Sequence, residues 1–264
     1  MEKKKNIKSI FWHILHYGYR FLPNCRLKHK LCLGILAQRN SLPLYLAVYP
    51  GNVAVQVGTP NISTVRKFSR LVGAGGQVYV IEADPVNADK LLWSVEKFGI
   101  ENVKVIKSGA WSSKGTLTLR KSDDFDGDHK IEIPDIYIDN DFRTEYKDAV
   151  QIEVDTVDNL LFSLDVKAIN YLSVTVNGAE HEVLKGCQGI LDKSEHIRVY
   201  SKGHARIGSA ANGVPINKGI ASLLESRGFI AVLTHGEKST ANIEQWQSRE
   251  GDVFGWKTKT GYIC

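Results

Sequence analysis

Two stretches constrain this chain more than any other: Val53-Ala54-Val55-Gln56-Val57-Gly58-Thr59-Pro60-Asn61, and Gln77-Val78-Tyr79-Val80-Ile81-Glu82-Ala83-Asp84-Pro85. The first is apolar and β-branched, as a strand buried on both faces should be, and it stops at a glycine among turn residues. A segment of helical period, Val65 to Val72, follows, and Gly73-Ala74-Gly75-Gly76 breaks it. The second apolar run ends in Glu82, 24 residues beyond Gly58. The pattern is strand, glycine turn, helix, strand, acid, which is the layout a nucleoside site needs. A glycine lets a ligand approach the backbone, a helix N-terminus offers N–H groups, and a strand-end carboxylate accepts bonds from ribose hydroxyls.

A dinucleotide site wants G-x-G-x-x-G between the first strand and its helix. Here Gly58 stands alone, and the later glycine cluster sits where it would cap a helix. A pyrophosphate ligand is therefore disfavoured. S-adenosyl-L-methionine, which has a ribose and no phosphate, fits better. Another nucleotide, or an α/β domain with no nucleotide, stays open on these residues alone.

The 264 residues are enough for one large α/β domain and a short appendage. The net charge of +5 is concentrated before residue 40, in nine lysines and arginines against Glu2. The rest is near neutral, so no basic nucleic-acid face is expected. Cys25, Cys32, Cys187 and Cys264 form no C-x-x-C pair and no histidine cluster joins them, so no metal site and free thiols in a reducing, cytoplasmic setting are expected. No apolar run is long enough to span a bilayer, and the lysine-rich start lacks the cleavage site of a signal peptide.

Residues 1–50 read as a helical extension preceding a domain over 51–264. Ile7, Ile10, Phe11, Ile14, Leu15, Tyr17 and Phe21 share one face of a basic helix. Such a face packs on the domain or lies on anionic lipid, which would make the protein peripheral to the inner membrane face. From 52 to 107 the pattern is βαβαβ. Asp84 caps a second helix with Pro85 at its first position, and Ser108-Gly109-Ala110 follows the third strand. The turns at 58, 82 and 108 then share one rim. Residues 112–150 read as an excursion from the core with strands near 115–119 and 131–138. Its acidic stretch 123–128 lacks the register of a calcium loop. Further strands are expected at 149–154, 169–176, 196–201, 229–233 and 252–256, the 169–176 strand beside the first.

Val154-Asp155-Thr156-Val157-Asp158, Ser173-Val174-Thr175-Val176-Asn177-Gly178-Ala179-Glu180 and Val183-Leu184-Lys185-Gly186 occur in order. Together with the 58, 82 and 108 turns they resemble the FkbM-type methyltransferase family over about residues 52–234. The resemblance implies a seven-stranded, Rossmann-like α/β sheet, mostly parallel with an antiparallel last strand and helices on both faces. It implies S-adenosylmethionine-dependent O-methylation, with a small-molecule or saccharide acceptor such as a sugar or glycolipid. The family's first motif reads D-x-G-A-N-x-G, and here Gln56 stands for the acid. The two acids usual before Gly178 are Thr175 and Asn177. A non-catalytic relative and another Rossmann-type nucleotide enzyme are the alternatives.

The cofactor-side candidates are Gln56, Gly58, Thr59, Asn61, Glu82, Asp84, Ser108, Gly109, Ala110 and Thr175. Glu82 is placed on the ribose, with Thr59 and Asn61 serving the amino-acid end or capping a helix. A hydroxyl acceptor loses a proton as it is methylated, so a base helps. Glu180, Asn177 and His204 are the candidate catalytic residues, with His181 expected at the surface.

Overall fold

The computed structural model describes residues 25–39, 42–59, 61–122, 130–131, 146–202, 216–234 and 251–263. The expected helix over 7–21, the acidic stretch 123–128 and the 203–213 loop with His204 lie outside them. Helices α1 (Arg26–Arg39) and α2 (Leu44–Ala47) lead into β1 (Val53–Val57), α3 (Ile62–Val72), β2 (Gln77–Glu82), α4 (Pro85–Lys97) and β3 (Val103–Lys107). Next come β4 (Gly109–Ala110), β5 (Gly115–Ser122), β6 (Lys130–Ile131) and β7 (Tyr146–Asp155). The chain continues through α5 (Val157–Phe162), β8 (Tyr171–Val174), α6 (Glu180–Lys185), α7 (Gln188–Lys193) and β9 (Ile197–Ser201). It closes with α8 (Ile216–Glu225), β10 (Ile230–Leu233) and β11 (Val253–Lys257).

Local chemistry sets the helix starts. Asn61 caps α3 by accepting from Ser63 N, and Asp84 caps α4 by accepting from Val86 N and Asn87 N ahead of Pro85. Thr156 caps α5 by accepting from Asn159 N. In α3, Val65, Phe68 and Val72 fall on one buried stripe, and Gly73 ends the helix with φ 68°.

The main sheet has seven strands in the order β10-β11-β9-β8-β1-β2-β3. All neighbours are parallel except β11, which runs antiparallel between β9 and β10. The order reverses at β1, flanked by β2 and β8, so the ends of these three strands form the switch point where α/β sheets bind ligands. This is the seven-stranded arrangement expected from sequence.

Side chains alternate across the sheet into two cores. On one face Val55, Leu172, Val174 and Val199 meet Leu161, Val183, Leu184 and Leu224 of the later helices. On the other, Ala54, Val78, Tyr171 and Trp256 meet Leu36, Leu46, Phe68 and Leu91. Helices α1 and α2 therefore share a core with the sheet. The 112–150 excursion contributes to a separate four-stranded sheet, β4-β7-β5-β6, with its own small core of Leu119, Ile152 and Val154.

The cysteines correct one expectation. Cys25 and Cys187 are free thiols, but Cys32, fully buried in α1, is disulfide-bonded. Pairing depends on approach in space, which sequence spacing does not report. Among the described residues no helix is long and apolar enough to cross a membrane.

Candidate functional site

Gly58 ends β1 with φ 74°, a region open to glycine. A Cβ there would stand 2.6 Å from Thr175 O and 2.7 Å from Val176 Cγ1, so the first turn lies directly against the end of β8. Thr59 N then donates to Glu82 Oε2 at 2.9 Å, and Asp84 N donates to Oε1 at 3.0 Å. The carboxylate at the end of β2 therefore faces the turn after β1. Glu82 is 7% exposed. Burial pushes its carboxyl above the usual range, the backbone N–H bonds pull it back, and Asp84 pushes it up again.

Asp84 is committed elsewhere. Its Oδ1 caps α4, and its Oδ2 lies 2.7 Å from Lys121 Nζ on β5. That ion pair ties the second sheet to the rim. Asn61 is a helix cap, with its own N–H donating to Thr59 Oγ1. Ser108 is half-buried beside the end of β3 and donates from Oγ to Gly109 O. Gly109 and Ala110 are buried in β4, paired with Val154 and Asp155, and a Cβ on Gly109 would meet Val154 Cγ1 at 2.6 Å. Close backbone packing thus accounts for glycine at 109.

Gln56 and Thr175 form one unit. Gln56 Nε2 donates to Thr175 Oγ1 at 2.8 Å and to Gly58 O at 2.9 Å. Thr175 Oγ1 donates to Gly58 O at 2.6 Å. The amide oxygen of Gln56 makes no hydrogen bond among the described residues, and the residue lines a cavity of about 440 Å³. Thr59, Ser173, Thr175, Tyr200 and Lys202 share that cavity, with Leu42 to Leu44 and Phe68 also on its walls.

Of the candidate catalytic residues, Glu180 is fully buried in the first turn of α6, where the helix dipole favours a carboxylate. It lies near enough to Tyr200 to help push that phenol's pKa up, after burial and Asp252. Asn177 is half-buried in the turn after β8. His181 is half-buried as well, with its ring against Gly219 of α8, and burial lowers its pKa. Tyr200, whose hydroxyl donates to Asp252 Oδ2 at 2.5 Å, was missed in the sequence, as were Ser173 and Lys202. The end of the expected fifth strand on the shared rim was the signal for Tyr200 and Lys202.

In α/β sheets the strand ends at such a switch point are where ligands bind, and here a buried strand-end carboxylate faces a glycine turn at that rim. The chain belongs to the methyltransferase FkbM domain family, whose model matches residues 53–231. Among solved structures it is similar to a methyltransferase FkbM from Methylobacillus flagellatus KT, with 13% identity and a TM-score of 0.48. That match covers 80% of this chain and 47% of the other, so the chain spans about half the length of that protein. It is also similar to a SAM-dependent methyltransferase from Aquifex aeolicus, with 15% identity, a TM-score of 0.42, and 81% and 86% of the two chains covered. An O-methyltransferase from Bacillus cereus in complex with SAH matches at 10% identity and a TM-score of 0.43, covering 98% of this chain and 93% of the other. No curated protein matches the chain.

Proposed function

We propose that the chain transfers a methyl group from S-adenosyl-L-methionine to a hydroxyl oxygen of a small molecule, sugar or glycolipid. The observation that carries this reading is the Glu82 carboxylate, buried at the switch point and bonded to Thr59 N beside Gly58. Family membership supports methyl transfer.

The residues present suit this cofactor. When bound, it supplies an electrophilic methyl group on a sulfonium. Glu82 would accept from the ribose hydroxyls with lone pairs its two backbone donors leave open. The Gln56 amide oxygen would accept from the ammonium end, in place of the family's acid. Gly58 lets the first turn close against β8, which sets the Thr59 backbone beside the ligand. Ser108 stands on the adenine side, backed by Gly109 and Ala110. Asp84 and Asn61 hold the helix starts that frame the site, and Thr175 fixes the Gln56 amide.

The cavity beside Gln56 would take the acceptor, with Ser173, Tyr200 and Lys202 as hydrogen-bonding walls suited to a hydroxylated ligand. Asn177 would orient the acceptor hydroxyl, Glu180 would set the local field, and His204 would serve as the base. The basic helix expected at the N-terminus would hold the protein peripherally at anionic lipid. The disulfide at Cys32 favours an oxidising compartment over the cytoplasmic one expected from sequence.

The experiment is transfer of labelled methyl from the cofactor into polysaccharide and lipid extracts, with cofactor binding measured by calorimetry. Label in a hydroxyl-derived ether supports the reading. No cofactor binding removes it. Binding without transfer to any extract favours a non-catalytic binding module, for which the replacement of the family's acids by Gln56, Thr175 and Asn177 already speaks.

A further inference from the structure

A second cavity, of about 320 Å³, lies at the other end of the sheet. Asn52, Asn170 and His196, which line it, immediately precede or lie just before β1, β8 and β9. They stand at the N-terminal ends of parallel strands, opposite the rim that carries Gly58, Glu82 and Thr175. The cavity is thus separate from the proposed methyl-transfer site.

Its walls include two buried cations. Arg198 on β9 is 6% exposed and Lys28 on α1 is 3% exposed. Both stand over the ring of Tyr49, with Arg198 Cζ 5.0 Å and Lys28 Nζ 5.3 Å from its centroid. Tyr49 offers its π-face to both, which offsets part of the cost of holding them out of water. Arg198 Nε donates to Ile263 O at 2.8 Å. Among the described residues, the other guanidinium nitrogens have no hydrogen-bond partner and no carboxylate forms an ion pair with Arg198. Among the described residues, none of those lining the cavity is acidic. Asn52 spends its amide oxygen on Tyr49 N, so its Nδ2 adds a donor.

Buried charges are paired in folded proteins, because an uncompensated one costs several kcal/mol by rough estimate. A guanidinium left with its fork of donors toward a cavity has the geometry for two parallel bonds to an oxyanion. We propose that this cavity binds an oxyanion, a phosphate or carboxylate group, held by the Arg198 fork with Lys28 as the second cation. Burial lowers the pKa of both groups, and Arg198 lowers that of Lys28 further.

The test uses the full chain in thermal unfolding and calorimetry, titrated with sodium phosphate, sodium acetate or sodium chloride at matched ionic strength. Phosphate or acetate should raise Tm saturably where chloride does not, and the stronger of the two names the source of the oxyanion. Lys28→Met keeps the alkyl packing and should weaken that response at least tenfold. Arg198→Lys keeps the charge but loses the fork, and should do the same. Glu82→Ala, at the opposite rim, should leave it intact. A response no greater than that to chloride, or one equal in Lys28→Met and the unaltered chain, overturns the proposal.

Discussion

The side-chain nitrogen of Gln56 stands 2.8 Å from the hydroxyl oxygen of Thr175, joining the end of β1 to the end of β8. Two departures from the family's motifs are therefore one feature. An amide at 56 can donate to a hydroxyl at 175 and to Gly58 O, whereas a carboxylate could donate to neither.

Restoring the family's acid at position 56 alone should therefore harm the fold. Gln56→Glu sets a carboxylate against carbonyl oxygens of Val57 and Gly58 in a site 3% exposed. A loss of about 1–3 kcal/mol is expected for the unmade buried bonds. Urea unfolding measures it, and a cycle with Thr175→Val should show the two positions coupled.

Glu82 carries the cofactor reading. Glu82→Ala should weaken S-adenosylmethionine binding by about one to two orders of magnitude, the worth of hydrogen bonds to a charged group. The backbone of the turn should persist, since Gly58 N is also held by Ile81 O at 2.9 Å. Calorimetry and circular dichroism separate the two effects.

Acid should act on Glu82 in two opposite ways. Its carboxyl pKa is raised in the folded chain from an ordinary 4.5, so over the window above 4.5 the folded state binds more protons than the unfolded state. In that window the residue's contribution to stability falls as pH rises. Cofactor affinity should run the other way, increasing with pH as the acceptor ionises. In Glu82→Gln this pH dependence should be absent, as binding measured across the window will show.

Asp84 joins a helix cap to an ion pair with Lys121. Asp84→Ala should cost about 1–2 kcal/mol from the cap, and more because Lys121 loses its partner. Lys121→Met should leave the cap intact and loosen the second sheet against the rim. Hydrogen exchange along β5 and β7 is the readout, with Tm reporting the milder change.

Gly58→Ala meets two obstacles, a positive φ and a Cβ 2.6 Å from Thr175 O. Backbone strain and overpacking together should destabilise by about 2–4 kcal/mol. Cofactor binding should drop with it, measured on whatever fraction remains folded at low temperature.

Local signals carried much of this architecture into the sequence. The runs at 53–57 and 77–82, the Asp84-Pro85 cap and the 155–186 block depend on neighbours within a turn or two, and they stand where expected. Gln56 with Thr175 and Arg198 over Tyr49 were not visible, because those contacts link residues far apart in the chain. Cys32 was misread for the same reason. At the site, Glu82 was legible as the acid ending a strand. Tyr200 was not, since its place on the cavity follows from the register of β9 against β8.

The insertion of β11 between β9 and β10 has a consequence for how the protein is made. During synthesis the flanking strands emerge first, and each must wait beside an open slot for residues 253–257. Until that last ribbon slides in, two unpaired edges offer themselves to any extended segment nearby, including the same slot in a sister chain.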